Sequence, residues 1–388
     1  MKDTAYYALE DADIDAFRAE TSQTLTADDA PQAAEIAKNI PLYDGSTLRP
    51  LLEDPAQRRS LQAEWAHILG RRSGVVVIRQ AQPAHAAIDA ATDAVNAIIA
   101  AEKDGSGGGG DHFAAAGAND RIWNSLQKLC LADPETFARY HASPEIDAIS
   151  ESWLGPNYQM TAQVNLVRPG GAAQTAHRDY HLGFMSPAEA TTYPIPIHHL
   201  SPYLTLQGGL AHVDTPIEAG PTKLLPFSQM YGPGYLAYED PAFAAHFEEN
   251  CVQLPLQKGD ALFFSPALFH AAGENRSNDI HRLVNLFQVG SAFGRSIETV
   301  DRVAMSQALF PMVRDLKASG DLSDAGLRAA IAACAEGYAF PTNLDHDLPS
   351  GGLAPESQAG LFHRALAEGM DPATFAAELQ AQAHRHAA

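Results

Sequence analysis

The sequence predicts a mainly β core of the jelly-roll or barrel type, wrapped by α-helices from both ends of the chain. Short apolar or alternating segments separated by turn residues fill the stretch between residues 156 and 296. Apolar residues at helical spacing dominate on either side of it. Because we find no internal repeat and no linker, we expect a single domain over residues 1–388. It would comprise a mostly helical N-terminal cover (1–155), the β core (156–296) and a helical C-terminal extension (297–388).

Composition and charge argue against several classes of partner. The 388 residues include 26 Lys and Arg against 47 Asp and Glu, a net charge of −21. Nucleic acids and anionic membrane surfaces require clustered cations, so we expect neither as a partner. The three cysteines lack CxxC spacing, which argues against a disulfide framework or a thiolate zinc site. With no apolar signal core near Met1 and no apolar run of about 18 residues, we expect a soluble cytoplasmic protein.

The N-terminal cover shows helix signals and one strand signal. Asp54-Pro55 is typical of a helix start, a capping residue followed by proline at the first helical position. The β-branched run Gly74–Ile78 predicts a buried strand, and Pro83–Lys103 has the spacing of an amphipathic helix. The glycine-rich run Gly105–Gly110 is interpreted as a surface loop in preference to a catalytic lid, and His112 after it is a weak site candidate.

Two strands of the β core alternate between apolar and polar residues. They are Tyr158–Val167 and Tyr203–Leu210. Half-buried strands usually turn the polar face to water, but here helices are abundant enough to cover the apolar face instead. The sequence leaves both arrangements open. In the second, the polar side chains line the barrel interior, which makes four residues candidates for contacts with a bound molecule: Gln163, Asn165, Thr205 and Gln207.

The strongest site candidate is the pair His177 and Asp179. On an extended strand, side chains two residues apart point to the same side, so an imidazole and a carboxylate would converge. His270, on a later strand, is the best candidate for a third ligand. Two histidines and one carboxylate on one face of an octahedron suit Fe(II) and leave three positions open.

Other histidines are interpreted as structural. His212 and Asp214 repeat the His-x-Asp spacing, but they precede a turn, where aspartate is common as a turn former. The pair His198-His199 lies among prolines and is interpreted as a solvated surface pair on a loop.

Three motifs, taken in order, resemble the phytanoyl-CoA dioxygenase family. They are Pro-Gly-Gly followed by His177-Arg-Asp179, then Glu-Ala-Gly-Pro-Thr-Lys-Leu-Leu-Pro-Phe-Ser from Glu218, then His270-x-x-Gly-x-Asn-x-Ser. The resemblance runs from about Trp153 to Val289. It implies a double-stranded β-helix that uses Fe(II) and the co-substrate 2-oxoglutarate. His177, Asp179 and His270 would then be the iron ligands.

The resemblance also implies an arginine that pairs with the far carboxylate of 2-oxoglutarate. Arg282 is the preferred candidate and Arg276 the alternative, although relatives commonly carry this arginine one position earlier, where His281 stands here. A second departure is Pro226-Phe-Ser-Gln229, where many relatives have Pro-Gly-Ser-His. Because the resemblance places this segment near the pocket, the difference leaves the identity of the substrate open. Tyr180, Gln163 and Asn165 are further candidates for contacts with the co-substrate.

The implied function is hydroxylation of a small organic molecule, with succinate and carbon dioxide as co-products. Asp179 occupies the position at which halogenating relatives lack an acid, which favours hydroxylation. A CoA thioester is disfavoured, because its phosphates call for a basic patch. Two alternatives stay open: a metal-binding jelly-roll module for sensing or assembly, and a cupin-like isomerase or hydrolase using the same three ligands. The C-terminal helices either cap the barrel or form the contact of a homodimer.

Overall fold

The computed structural model describes residues 5–104, 119–349 and 351–387. The glycine-rich run Gly105–Gly110 and the candidate His112 lie outside the described residues. The strands of the described part are β1 (Glu35–Ala37), β2 (Ile40–Asp44), β3 (Val75–Arg79), β4 (Asn119–Ile122), β5 (Gln159–Val167), β6 (Thr205–Ala211), β7 (Lys223–Leu224), β8 (Ala261–Phe264), β9 (His270–Ala271) and β10 (Arg282–Gly290).

Helices fill most of the remaining chain. Before β5 they are α1 (Ile14–Thr21), α2 (Gly45–Glu53), α3 (Pro55–Arg71), α4 (His85–Asp104), α5 (Ser125–Ala132), α6 (Pro134–Tyr140) and α7 (Pro144–Leu154). Within the β core they are α8 (Pro187–Ala190), α9 (Ile195–Leu200), α10 (Gly234–Ala237) and α11 (Pro241–Asn250). After β10 they are α12 (Arg302–Ser319), α13 (Asp324–Cys334), α14 (Gln358–Glu368) and α15 (Pro372–Ala387).

Eight strands form one large sheet in the order β1-β2-β3-β8-β6-β10-β5-β4. Strand β10 lies between β6 and β5 and pairs antiparallel with both, so that Phe287 stands opposite Ala162 and Gly208. Glycine is required at position 208, because a Cβ there would lie 2.4 Å from the ring of Phe263 on β8. The close approach of the strands therefore depends on this residue.

A smaller sheet faces the large one. It contains the β7–β9 pair and is extended by two isolated bridges, His177 with His270 and Leu224 with Val252. From β5 onward the chain alternates between the two sheets. Strands β5, β6, β8 and β10 belong to the large sheet. The segments at His177, β7, Val252 and β9 belong to the small sheet. This alternation is the topology of a double-stranded β-helix, and it confirms the predicted fold class.

Helices cover one face of the large sheet. Met160, Phe263 and Phe287 on the sheet belong to the same buried apolar cluster as Trp65 of α3 and Phe310 of α12. Burial of each such side chain contributes roughly 2 kcal/mol to the free energy of folding. Because the helices occupy this face, the polar residues of β5, β6 and β10 face the space between the two sheets.

Most sequence-predicted elements are present with small shifts. The predicted helix Pro83–Lys103 corresponds to α4, and Asp54 caps α3 by accepting hydrogen bonds from Ala56 and Gln57. Strands β1, β2 and β4 were not predicted, although all three join the large sheet. Over the described residues, no helix combines the length and apolar character needed to cross a membrane.

Candidate metal centre and its cavity

Backbone hydrogen bonds bring His177 beside His270. His177 N donates to His270 O at 3.0 Å, and His270 N donates to His177 O at 3.2 Å. Asp179 N donates to Pro266 O at 2.9 Å, which holds the segment extended against the small sheet. His177 and His270, 93 positions apart in sequence, are thereby placed as neighbours. The intervening Arg178 lies on the opposite side of the strand from His177 and Asp179.

The three predicted ligands converge on one point. Their candidate ligand atoms all lie within 4.8 Å of one another. Oδ2 of Asp179 is 3.3 Å from Nε2 of His270 and 3.8 Å from Nε2 of His177, and the two imidazole centroids are 4.4 Å apart. Two nitrogens and one oxygen placed in this way can occupy one triangular face of an octahedron around a metal ion, which is the facial arrangement expected for non-haem Fe(II).

Hydrogen bonds to the backbone orient both imidazoles. His177 Nδ1 lies 2.8 Å from Thr175 O, and His270 Nδ1 lies 2.8 Å from Leu268 O. A carbonyl oxygen can only accept, so each Nδ1 carries a proton, and Nε2 is the nitrogen of each ring that is available to a metal. Burial and the neighbouring His270 lower the pKa of His177, which favours the neutral imidazole that a metal requires. The residues present therefore fit a divalent metal.

The carboxylate of Asp179 is held in its ionised form. Burial raises its pKa, but hydrogen bonding and charge from His270, the charge of His177 and a hydrogen bond from Gln207 together lower the pKa to about 2. Gln207 Nε2 donates to Asp179 Oδ2 at 2.6 Å. Gln207 thus fixes the rotation of the carboxylate toward the two imidazoles.

Arg178 anchors the ligand-bearing segment. Its Nη2 donates to Ser228 O at 2.6 Å and to Tyr231 O at 2.9 Å, and its guanidinium lies over the rings of Tyr235 and Phe269 at 5.1 and 5.2 Å. The side chain is fully buried, and a Cβ on Gly234 would lie 1.9 Å from its Cζ. No local pattern singles out this arginine, since burial of a charged residue has no signal in a short stretch of sequence.

The three ligand residues line a cavity of about 720 Å³ between the two sheets. Gln163, Asn165, Gln207, Tyr180 and Arg282 line the same cavity. The sequence left open whether the polar faces of β5 and β6 point to solvent or to the barrel interior. In the structure, Gln163, Asn165 and Gln207 point to the interior. The remaining candidate, Thr205, is buried but is not among the described residues that line the cavity. It lies at the first position of β6, beyond the end of the cavity wall.

The two arginine candidates for 2-oxoglutarate are placed differently. Arg282 is buried at the start of β10 and lines the cavity, and its Nη1 donates to Ala219 O at 3.2 Å and Gly273 O at 3.1 Å. Among the described residues it has no carboxylate partner. Burial lowers its pKa to about 10, which leaves it cationic at neutral pH. Arg276 is exposed, and its backbone bonds to Glu218 in the loop before β10.

Several cavity residues were missed by sequence reasoning. Gln288 has the same strand parity as Arg282, Val284 and Leu286, and all four line the cavity. Because alternate residues of a strand share a side, the choice of Arg282 as a site residue already indicated that Gln288 faces the same way. Arg121 and Trp123, at the end of β4 and just beyond it, also line the cavity, with the guanidinium 5.2 Å from the indole centroid. Strand β4 itself was not predicted, so no predicted element placed these two residues at the cavity.

The other histidine motifs lie away from the metal centre. His212 is buried and bonds through Nδ1 to Thr92 Oγ1 at 2.8 Å and through Nε2 to Tyr140 Oη at 2.6 Å. Asp214 is exposed and accepts from Lys258 N at 2.9 Å. The interpretation of His198-His199 as a solvated pair on a loop was wrong for His198. It is buried in the short helix α9, where its Nε2 donates to Ala190 O.

The Pro226-Phe-Ser-Gln229 segment lies outside the cavity wall. Phe227 has φ of +70°, a conformation that favours glycine, and its ring is buried. Gln229 donates to Arg72 O at 2.8 Å, at the end of α3. The departure from the Pro-Gly-Ser-His pattern therefore alters packing against α3.

A double-stranded β-helix whose two sheets hold a His-x-Asp…His cluster above an arginine-bearing cavity defines a metal-binding jelly-roll protein. The sequence also matches the family model "Phytanoyl-CoA dioxygenase (PhyH)" over residues 70–283, more than half of the chain. The chain belongs to the phytanoyl-CoA dioxygenase family, which confirms the resemblance of its motifs.

Individual relatives are distant. The chain is 28% identical over 151 residues to "Dioxygenase trt7" of Aspergillus terreus (strain NIH 2624 / FGSC A1156), covering 39% of this chain and 46% of that protein. It is 28% identical over 143 residues to "Dioxygenase andF" of Emericella variicolor, covering 36% and 45%. The matches thus span less than half the length of these curated relatives. Among solved structures, the non-heme alpha ketoglutarate dependent epimerase SnoN from nogalamycin biosynthesis is similar, with 23% identity, a TM-score of 0.41 and coverage of 62% of this chain and 82% of SnoN.

Proposed function

We propose that this chain is an Fe(II)- and 2-oxoglutarate-dependent dioxygenase that hydroxylates a small organic substrate. The observation that carries the proposal is the placement of His177, Asp179, His270 and Arg282 around one cavity. The first three supply a facial set of ligands for the metal. Arg282 supplies a buried guanidinium for a dicarboxylate. The family to which the chain belongs supports the same assignment.

Each residue has a distinct task in this proposal. The Nε2 atoms of His177 and His270 and a carboxylate oxygen of Asp179 hold Fe(II), which supplies the redox chemistry for activating dioxygen. Gln207 keeps the carboxylate of Asp179 turned toward the metal. Arg282 binds the far carboxylate of 2-oxoglutarate through its planar fork and so orients the keto acid toward the open metal positions. The apolar side chains Val284, Leu286 and Leu262 line the cavity and limit access of water.

The overall reaction balances with one dioxygen per turnover. One oxygen atom enters the C–H bond of the substrate as a hydroxyl group, and the other enters succinate as 2-oxoglutarate loses carbon dioxide. Asp179 supports hydroxylation over halogenation, because its carboxylate takes the position that a halide would need. The cavity of about 720 Å³ is in the range of pockets that bind small molecules. A CoA thioester is not part of the proposal.

The test uses the full chain reconstituted anaerobically with Fe(II) and then exposed to dioxygen and 2-oxoglutarate. We expect succinate formation, with or without a second substrate, that depends on Fe(II) and is lost in Asp179→Ala. A non-catalytic sensing or assembly module would bind metal without forming succinate in the presence of any candidate substrate. A cupin-like isomerase or hydrolase would turn over without consuming dioxygen. Either result would contradict the proposal.

A further inference from the structure

We infer that the cavity takes a neutral substrate with an apolar body and a hydroxyl group, and that Gln288 is the residue that recognises the hydroxyl. This inference rests on the proposed function and names the substrate class for the same site. It depends on the carboxamide side chains of the large sheet, on the balance of charge in the cavity, and on the apolar residues that complete its wall.

Gln288 presents a hydrogen-bonding group without a partner. Its side chain is 6% exposed, and its Oε1 is buried with no hydrogen-bond partner among the described residues. Asn165, on the neighbouring strand β5, lines the same cavity and has an unpartnered Oδ1. A buried carboxamide without a partner costs about 1–3 kcal/mol, which a ligand that completes the hydrogen bonds would recover. Asn165 stands opposite Val284, toward the Arg282 end of the cavity, so Gln288 is the residue that points to a polar group on the organic substrate.

The position of Gln288 places that polar group near the metal. Gln288 stands directly opposite Gln207 in the β10–β6 pairing, and Gln207 donates to the ligand Asp179. Arg282 lies six residues earlier on β10, at the other end of the same face. Six residues of strand span about 20 Å, so Gln288 lies far from the carboxylate of 2-oxoglutarate that Arg282 would bind. Gln288 is thus available to the organic substrate.

The charge of the cavity favours a neutral substrate. Asp179 is the one carboxylate among the described lining residues, and the metal would use it. Arg282 would be used by 2-oxoglutarate. The guanidinium of Arg178 donates to the carbonyls of Ser228 and Tyr231 and packs over the rings of Tyr235 and Phe269, on the other side of the strand from the predicted metal ligands. Burial raises the pKa of Glu298, while hydrogen bonds from Asn124 and Gln163 and the charges of Lys128 and Arg121 oppose that rise. Arg121 therefore lies near a carboxylate that offsets its positive charge. No net charge is left for an anionic or cationic substrate.

A hydroxyl group matches a carboxamide better than other neutral groups do. A carboxamide carries both an acceptor oxygen and N–H donors, and a hydroxyl both donates and accepts. An ether can only accept. Phe184 and Ile297, which are exposed large apolar residues, also line the cavity and add apolar surface to its wall. The combination calls for a compact hydrocarbon framework that bears an alcohol.

Three matched probes with one carbon cage test the inference: 1-adamantanol, its methyl ether and 1-adamantanecarboxylate. Each is titrated by calorimetry, under anaerobic conditions, into the full chain loaded with Fe(II) and 2-oxoglutarate. We expect the alcohol to bind at least about tenfold more tightly than the ether or the carboxylate. Equal affinity for alcohol and ether, tightest binding of the carboxylate, or no binding of any probe would overturn the inference.

Variants then assign the preference to Gln288. In Gln288→Met we expect the alcohol-to-ether ratio to fall close to one, while Fe(II) and 2-oxoglutarate bind as in the parent chain. The matched control Gln62→Met, on α3 outside the cavity, should keep the full ratio. If Gln288→Met does not fold, Gln288→Leu is measured in its place and should reduce the ratio to the same extent. An unchanged ratio contradicts the inference. Loss of Fe(II) or 2-oxoglutarate binding in the parent chain would instead contradict the proposed function.

Discussion

The chain contains two His-x-Asp motifs, and the structure uses them in different ways. His177 and Asp179 lie on an extended segment beside a second histidine strand, and their side chains open into a large cavity. His212 and Asp214 lie at the end of β6, with the histidine buried among Tyr140 and Thr92 and the aspartate exposed at a turn. Spacing brings an imidazole and a carboxylate to one side of a strand. A metal site also needs a third ligand on a neighbouring strand and a cavity next to the ligand atoms.

The largest expected effect distinguishes the two motifs directly. Replacing Asp179 or His270 by alanine removes one of three ligands, so we expect Fe(II) affinity to fall by at least about 100-fold. His212→Ala and Asp214→Ala, the matched changes in the second motif, should leave Fe(II) affinity within about twofold. Anaerobic calorimetric titration with Fe(II) measures all four variants. A comparable loss in the second pair would show that the two motifs do not differ as described.

The next effect concerns the cavity in front of the first motif. Arg282→Ala removes a buried guanidinium, and the loss of charge-assisted hydrogen bonds worth about 1.5–3 kcal/mol should weaken 2-oxoglutarate binding by roughly 10- to 100-fold. Arg276→Ala changes an exposed arginine in the loop before the same strand and should have no effect. Binding is measured with the Fe(II)-loaded chain in the absence of dioxygen. If Arg276→Ala gave the larger loss, the assignment of Arg282 would be wrong.

A smaller effect is expected from the residue that orients Asp179. Gln207→Leu removes the 2.6 Å hydrogen bond to Oδ2, and we expect roughly tenfold weaker Fe(II) binding. Gln163→Leu, a change of the same type in the same cavity, removes no hydrogen bond to a ligand and serves as the control. The two variants are compared by the same titration. Equal losses in both would mean that Gln207 acts only by filling the cavity.

A separate effect, on stability and not on binding, belongs to the second motif. Burial, with a contribution from Lys258, lowers the pKa of His212 to about 4 from its ordinary value of 6.5. Because the folded state favours the neutral imidazole, its stabilisation is complete above about pH 6.5 and is lost as the pH falls toward 4. The full loss amounts to roughly 3 kcal/mol. Urea unfolding of the parent chain and His212→Gln between pH 7 and 4.5 measures it, and the variant should show the shallower decline. Parallel declines would contradict this role.

Sequence reasoning selected three residues that the structure brings together, because the evidence for them is a local spacing or a motif in a fixed order along the chain. The alternation rule places His177 and Asp179 on one side, and the turn and strand around His270 have a characteristic motif. The same rule divided β5 and β6 into two faces but could not say which face the helices cover. That depends on the apolar cluster around Trp65 and Phe310, which is assembled from distant segments.

The missed elements have weak local signals. Strands β1 and β2 form a hairpin closed by Lys38-Asn39, with φ of +52° and +64°, where Asn-Gly would be the usual sequence. Edge strand β4 is short and polar, and it is stabilised by pairing with β5. The buried states of Arg178 and His198 follow from partners elsewhere in the chain. In each case tertiary contacts, absent from any short window of sequence, decide the structure.

The most direct test of the account is the position of the metal. Anomalous diffraction at the iron edge, from anaerobic crystals containing Fe(II) and 2-oxoglutarate, locates the ion and its ligands. We predict one iron per chain bound by Nε2 of His177, Nε2 of His270 and the carboxylate of Asp179, with the far carboxylate of 2-oxoglutarate on Arg282. An ion at any other location, or one bound without all three of these side chains, would contradict the central claim.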